Sequence, residues 1–138
     1  MRRRVSGIGP RGLRSSTLVQ GMTLTMGSLL PSSRALQINL HHSLTATAQL
    51  RKWLEVNNTA VAFIQEPWLS RSGSIQGLNN LRGKIITSNE AQTRAAIYIS
   101  NNIPVQILTD FCSRDICTIK TAKTQMTSRE VVLSSVYM

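Results

Sequence analysis

The chain has 138 residues, a formal net charge of +10, 41% hydrophobic residues and 16% charged residues. This length and composition are typical of one globular domain with a real core. Two cysteines are too few for a disulfide framework or a zinc site, and no segment reaches the roughly 18 apolar residues of a membrane span. The sequence has no Gly-rich phosphate loop, Cys-x-x-Cys pair or nucleophile elbow, which excludes nucleotide kinases, zinc fingers and α/β-hydrolases.

Residues 1–34 form a separate basic block, with six arginines and no acidic or aromatic residue. Two interpretations compete: a mitochondrial presequence, which is Arg-rich and acid-poor, or a solvated, disordered leader. We favour the leader, because glycines and a proline between residues 7 and 12 oppose an amphipathic helix. We therefore expect a nuclear or cytoplasmic protein rather than a mitochondrial one. The basic excess attracts polyanions such as nucleic acid, or it serves solubility alone.

The folded region is predicted to span residues 35–138. Leu36–Leu40 alternates apolar and polar residues, which indicates a half-buried strand. Ser43 can cap the next segment, whose apolar residues recur on one face of a helix that ends near Asn57. Ala60–Ile64 is a continuous apolar run, typical of a strand buried on both faces. The order strand, helix, strand implies a crossover connection and parallel pairing of the two strands.

Residues 69–83 are rich in serine and glycine and predict a loop. Beyond this loop the sequence predicts strands joined by short polar turns, and no further helix. One crossover helix followed by consecutive strands indicates the α+β class. The predicted strands are Lys84–Thr87, Ala95–Ile99, Val105–Leu108, Ile116–Lys120 and Val131–Tyr137.

Two polar residues follow the predicted parallel strands. Glu66 closes the buried strand and Asn39 closes the first one, so both are expected at the same edge of the sheet. A carboxylate there suits a hard divalent cation, and an amide can serve as a neutral oxygen ligand or orient a metal-bound water. The alternative is a solvated strand-end glutamate beside Trp68 and a turn-forming asparagine.

Other polar side chains near strand ends have weaker signals. Tyr137 lies near the end of the last strand, where its phenol either donates to a phosphate oxygen or lies on a sheet face. His41 and His42 are adjacent and would point to opposite sides of an extended chain, so we assign them no catalytic role. Arg94 and Arg114 flank strands and suit phosphate contact, although a solvated charge is the ordinary role.

Five segments taken in order resemble the endonuclease domain of insect-type non-LTR retrotransposons. That domain belongs to the endonuclease/exonuclease/phosphatase superfamily, related to apurinic endonucleases and deoxyribonuclease I. The resemblance covers about residues 35–138, and Gln65-Glu66-Pro67-Trp68 is its most specific part. The five segments are Leu36–Ser43, Ala62–Trp68, Arg94–Ile99, Cys112–Ile116 and Arg129–Tyr137.

The resemblance implies a four-layer α/β/β/α sandwich, of which this chain is the first half. It implies Mg²⁺ or Mn²⁺ as cofactor and DNA as partner, with no membrane and no small-molecule cofactor. It implies Glu66 as a metal ligand, Asn39 as the polar residue at the metal site, and Tyr137 near the scissile phosphate. In such enzymes the metal stabilises charge on the phosphate while a water attacks in line.

The family pattern continues beyond Tyr137 with a proline, an Asp-x-Asn pair and a later Asp-His pair, and this chain ends at Met138. We therefore expect a truncated metal-dependent phosphodiesterase of retrotransposon origin that is inactive alone. The alternatives are a non-enzymatic basic protein that binds nucleic acid, or a small organelle-targeted protein.

Overall fold

The computed structural model describes residues 15–19, 22–30, 33–123 and 129–138, with side chains described from residue 34 onward. These residues form two sheets, one α-helix and a short 3₁₀ turn at Thr109–Phe111. No helix among them is both long enough and apolar enough to cross a membrane. The helix α1 spans Leu44–Val56. The strands are β1 (Ser15–Val19), β2 (Met22–Leu30), β3 (Ser33–Asn39), β4 (Thr59–Gln65), β5 (Gly83–Ile86), β6 (Ala95–Ser100), β7 (Val105–Ile107), β8 (Ile116–Thr121) and β9 (Val131–Val136).

The helix begins and ends where the sequence predicts. The hydroxyl of Ser43 accepts a hydrogen bond from the backbone N–H of Ala46, which satisfies one of the free donors of the first turn. At the other end, Asn57 donates from its backbone and side-chain nitrogens to the carbonyl of Trp53. The buried face of α1 carries Ala46, Thr47, Leu50 and Leu54.

The larger sheet has the strand order β1-β2-β3-β4-β6-β5. β3 and β4 are parallel, as predicted, and every other neighbouring pair is antiparallel. The parallel register pairs Ile38 with Ile64 and Asn39 with Gln65. β4 lies between β3 and β6, and all but one of its residues are buried. Its continuous apolar run is therefore explained by burial on both faces.

Two apolar cores lie on opposite faces of β4 and β6. Residues such as Ala62 and Ile64 pack with α1, together with apolar residues of β3 and β6. Their neighbours in sequence, such as Val61 in β4 and Ile97 in β6, pack against β8 and β9 of the smaller sheet, whose order is β7-β8-β9. Helix, larger sheet and smaller sheet are therefore three consecutive layers, which confirms a mixed α and β fold with two sheets. A fourth layer is not among the described residues.

Strands before residue 33 were not predicted from the sequence. The structure describes β1 and β2 as a hairpin that pairs antiparallel with β3, with Leu24 opposite Ile38. Met22–Met26 alternates apolar and threonine residues, which is the period of a strand. The arginines and glycines that gave residues 1–34 their leader-like composition lie largely in residues 1–14, outside the described residues.

Cys117 provides a test of the packing between the two sheets. It is fully buried, and its thiol donates to the carbonyl of Ile86 across the sheets at 3.3 Å. Burial raises the pKa of the Cys117 thiol to about 12, so at pH 8 roughly one molecule in 10,000 carries the reactive thiolate. We expect iodoacetamide to modify the half-buried Cys112 at least about tenfold faster than Cys117 in the folded protein.

Peptide mass spectrometry after timed labelling measures both rates in one sample. In concentrated urea the two rates should converge, because unfolding removes the burial that separates them. Equal rates without urea would show that the smaller sheet does not cover Cys117.

Candidate functional site at the strand ends

The parallel pairing of β3 and β4 brings both predicted site residues to one edge of the sheet. Asn39 is the last residue of β3 and lies opposite Gln65, and Glu66 follows directly. The residues just before β6 and just after β9 reach the same edge. We call the resulting group the strand-end cluster; it consists of Asn39, His41, Glu66, Arg94, Asp115 and Tyr137.

Glu66 has a backbone conformation that a glutamate before a proline rarely adopts. Its φ is +47°, in the left-handed region, which costs about 1–3 kcal/mol for a residue other than glycine. Two hydrogen bonds hold it there. Its N–H donates to the carbonyl of Arg94 at 2.9 Å, and its carbonyl accepts from the N–H of His42 at 2.9 Å. Arg94 and His42 therefore fix the backbone of Glu66 at the edge of the sheet.

The carboxylate of Glu66 is surrounded by donors. Nδ1 of His41 lies 3.2 Å from Oε2, and the Tyr137 hydroxyl and the Asn39 side chain lie near enough to influence the pKa of the carboxyl as hydrogen-bonding groups. Burial raises the pKa of this carboxyl. Hydrogen bonding from Tyr137 and Asn39 and the charges of the nearby histidines together lower the pKa by more than burial raises it, so the net shift is downward. With 17% of its side chain exposed, Glu66 is a charged group that still reaches solvent.

Asn39 links the turn after β3 to this carboxylate. Its Oδ1 accepts a hydrogen bond of 2.8 Å from the N–H of His41, and its side chain lowers the pKa of the Glu66 carboxyl. His41 and His42 both have positive φ, so the chain is not extended here and each imidazole has its own partner. Nδ1 of His42 lies 2.9 Å from the carbonyl oxygen of Pro67. Asn39 therefore fixes the backbone of His41, whose ring contacts Glu66.

Tyr137 is held by contacts with Arg94 and Asp115. Its ring lies under the guanidinium of Arg94, with 4.4 Å between Cζ and the ring centroid, and its N–H donates to the carbonyl of Asp115 at 2.8 Å. Arg94 forms a bidentate pair with Asp115 at 2.6 and 2.7 Å. Hydrogen bonding from Arg94 lowers the pKa of Asp115 and raises that of Arg94.

The structure thus brings together all three predicted site residues, Asn39, Glu66 and Tyr137. From the sequence, His41 was given no role because an extended chain was assumed, and Arg94 was weighed for phosphate contact against a solvated charge; the structure places both beside these residues. The positive φ of His41 follows from a turn that residue type alone does not reveal. The other weighed arginine, Arg114, contacts Asp115 at 3.4 Å and remains half exposed.

The donor atoms fit only a lightly held metal. Within the described ranges, no three His, Cys, Asp or Glu side chains are grouped closely enough to hold an ion. Glu66 supplies one carboxylate and Asn39 one amide oxygen. Mg²⁺ keeps several of its waters and commonly uses one or two carboxylates, so this donor set fits such an ion, with Glu66 and Asn39 as the residues that would hold it.

No protein-family model matches the chain, and no curated protein is significantly similar to it. A solved structure is similar: the endonuclease domain of TRAS1, a telomere-specific non-LTR retrotransposon, with a TM-score of 0.60 and 24% sequence identity. The fold is similar to that of a retrotransposon endonuclease domain. The match covers 77% of this chain and 44% of that one, so the chain spans less than half of the TRAS1 domain. At this identity the likeness concerns the fold, and at that level it confirms the resemblance drawn from the five segments.

The Arg94–Asp115 pair predicts a pH-dependent stability. Because the pKa of Asp115 is lowered in the folded state, the stability it contributes is present above the unfolded-state value of about 3.9 and is lost as the pH falls through the folded-state pKa. Asp115→Asn should therefore lower the urea midpoint at neutral pH, and the difference from wild type should shrink below about pH 4.

Urea unfolding at a series of pH values measures this difference. Asp110→Asn is the matched control, since Asp110 is an exposed aspartate in the nearby 3₁₀ turn. A difference between Asp115→Asn and wild type that did not change with pH would contradict the pairing.

Proposed function

We propose that the chain is part of a metal-dependent phosphodiesterase that acts on DNA as an endonuclease. The observation that carries this proposal is the convergence of Asn39, Glu66 and Tyr137 at one sheet edge, in a fold similar to a retrotransposon endonuclease domain. Ligands of open α/β sheets bind in the crevice at the carboxyl ends of the strands, which is where these residues lie.

Each residue has a role that its contacts support. Glu66, kept ionised by its hydrogen bonds, is the anionic oxygen ligand for Mg²⁺ or Mn²⁺. Asn39 holds the carboxylate in place and offers its own oxygen to the ion. Tyr137, with its hydroxyl beside the carboxylate, would turn its one O–H from Glu66 to a non-bridging oxygen of the scissile phosphate when a metal ion takes up the carboxylate. A bound divalent ion would polarise that phosphate and lower the pKa of a water.

The four-layer α/β/β/α sandwich is part of the same proposal. Ile116, Val132 and Val136 lie on the outer face of the smaller sheet and are exposed, Val132 by 58%. A fourth layer would cover this apolar strip, as the larger sheet covers the inner face.

We also propose that the chain alone has little endonuclease activity. Apart from Glu66, the strand-end cluster contains a single carboxylate, Asp115, and Arg94 already neutralises it.

Metal binding tests the assignment of Glu66 directly. Glu66→Gln should weaken Mn²⁺ binding by at least about tenfold in isothermal titration calorimetry, because the substitution keeps the shape and removes the charge. Glu55→Gln is the matched control, since Glu55 is an exposed glutamate paired with Arg51 on α1. Equal Mn²⁺ affinity for wild type and Glu66→Gln would show that Glu66 is not a metal ligand.

A plasmid-nicking assay in Mg²⁺ accompanies the calorimetry. Little cleavage by the chain alone agrees with the proposal. Robust cleavage by the wild-type chain that Glu66→Ala abolishes would support the endonuclease assignment. It would contradict the proposal that the chain alone is inactive.

DNA binding by the basic N-terminal residues is the second candidate function, favoured by their six arginines and lack of acids. We expect duplex affinity to fall steeply between about 50 and 200 mM salt, as it does when phosphate contacts dominate. Replacing the five arginines of residues 1–14 by glutamine leaves the described residues unchanged. If fluorescence anisotropy then shows no remaining DNA affinity, binding belongs to that block; if affinity persists, it belongs to the folded residues, as an endonuclease requires.

A further inference from the structure

We propose that Arg94 is a positioning residue, which Asp115 holds and which in turn sets the Tyr137 hydroxyl against the Glu66 carboxylate. This inference deepens the proposed function and rests on it. It gives a role to an ion pair that otherwise would count as an ordinary surface salt bridge.

The first step is the orientation of the guanidinium. Nε and Nη2 of Arg94 donate to the two carboxylate oxygens of Asp115 at 2.6 and 2.7 Å, a bidentate geometry that fixes the plane of the group. The backbone is fixed as well, since the N–H of Arg94 donates to the carbonyl of Arg114 at 2.7 Å. Side chain and backbone of Arg94 are therefore both tied to the turn before β8.

The second step is the placement of the Tyr137 ring. Tyr137 lies just beyond the end of β9, next to Val136, which pairs with Ile116 of β8. The guanidinium face of Arg94 covers the ring at 4.4 Å, a cation–π distance, while Asp115 accepts the Tyr137 N–H through its carbonyl at 2.8 Å. The same two residues thus hold the ring and the backbone of the tyrosine.

The third step connects this support to Glu66. The carbonyl of Arg94 accepts the N–H of Glu66 at 2.9 Å, and the hydroxyl of the Tyr137 that Arg94 covers lies near the Glu66 carboxylate, whose pKa it lowers. Arg94 therefore fixes the glutamate through its backbone and the hydrogen-bond donor to that glutamate through its side chain. Partners that orient a metal-binding carboxylate typically contribute 10–100-fold to metal affinity.

A direct contact between Arg94 and a phosphate is the competing role for this side chain. Two of its N–H groups are taken by Asp115 and one face of the guanidinium by Tyr137, and 31% of the side chain is exposed. A lysine would keep the charge for a phosphate but would lose the bidentate pair and the guanidinium contact with the ring. Arg94→Lys therefore separates positioning from simple attraction.

The chain has two tyrosines, and Tyr98 is buried in the core on the helix side of the sheet. Labelling tyrosine with ¹³C at Cζ gives two signals in the full chain, one that reports on the site and one that reports on the core. Glu66→Gln defines how far the Tyr137 signal moves when its carboxylate partner loses its charge. We expect Arg94→Lys and Asp115→Asn to move the Tyr137 signal similarly, to leave the Tyr98 signal in place, and to weaken Mn²⁺ binding by roughly tenfold.

Lys120→Gln is the matched control, since it removes one cation from another ion pair, with Glu130 at 3.5 Å, and should move neither signal. The inference is overturned if Tyr137 keeps its wild-type signal in either Arg94→Lys or Asp115→Asn while Tyr98 shows a folded core. The Tyr137 signal is measured without metal, so it tests the positioning role independently of metal binding. If the signal moves as expected but the wild-type chain binds no Mn²⁺, the proposed function fails and the positioning role does not.

Discussion

The parallel register between β3 and β4 is the constraint on which the strand-end cluster depends. Parallel strands end at the same edge, so the pairing of Asn39 with Gln65 places Glu66 beside the asparagine. Antiparallel pairing would put the two residues at opposite edges. The crossover that parallel pairing requires is made by α1, whose buried face covers the sheet. The capping by Ser43 and the apolar stripe of the helix are therefore conditions for the site as well as for stability.

Strain and hydrogen bonding oppose each other at Glu66. A positive φ before a proline is unfavourable for a glutamate, yet backbone hydrogen bonds from both neighbouring chain segments oppose its relaxation. The conformation turns the carboxylate away from the ladder and toward Asn39, His41 and Tyr137. Such local cost is common where geometry serves a site, because the surrounding structure defines a position that the residue alone would not adopt.

Periodicity and apolar runs predicted the helix, the parallel pair and the later strands, since burial imposes a pattern that the sequence must carry. The predicted parallel pairing also placed Asn39 and Glu66 together, because parallel strands that are neighbours end at the same edge of the sheet. The hairpin of β1 and β2 was not anticipated, since the average composition of residues 1–34 concealed its short alternation. The Arg94–Asp115 pair joins residues 21 positions apart across two sheets, and no local spacing encodes such a contact.

The charge balance of the cluster bears on how a metal and a phosphate would bind. Glu66 is one anion facing several donors, and the charge of Asp115 is directed to Arg94. A divalent ion held by one carboxylate keeps most of its waters, and sites of this kind gain the remaining ligands from the phosphate of the substrate. Among the described residues no second anion lies beside Glu66, so in the proposed function a substrate phosphate would supply the remaining negative charge. In the proposed function, the protein and the phosphate of DNA would therefore share the ligands of one ion.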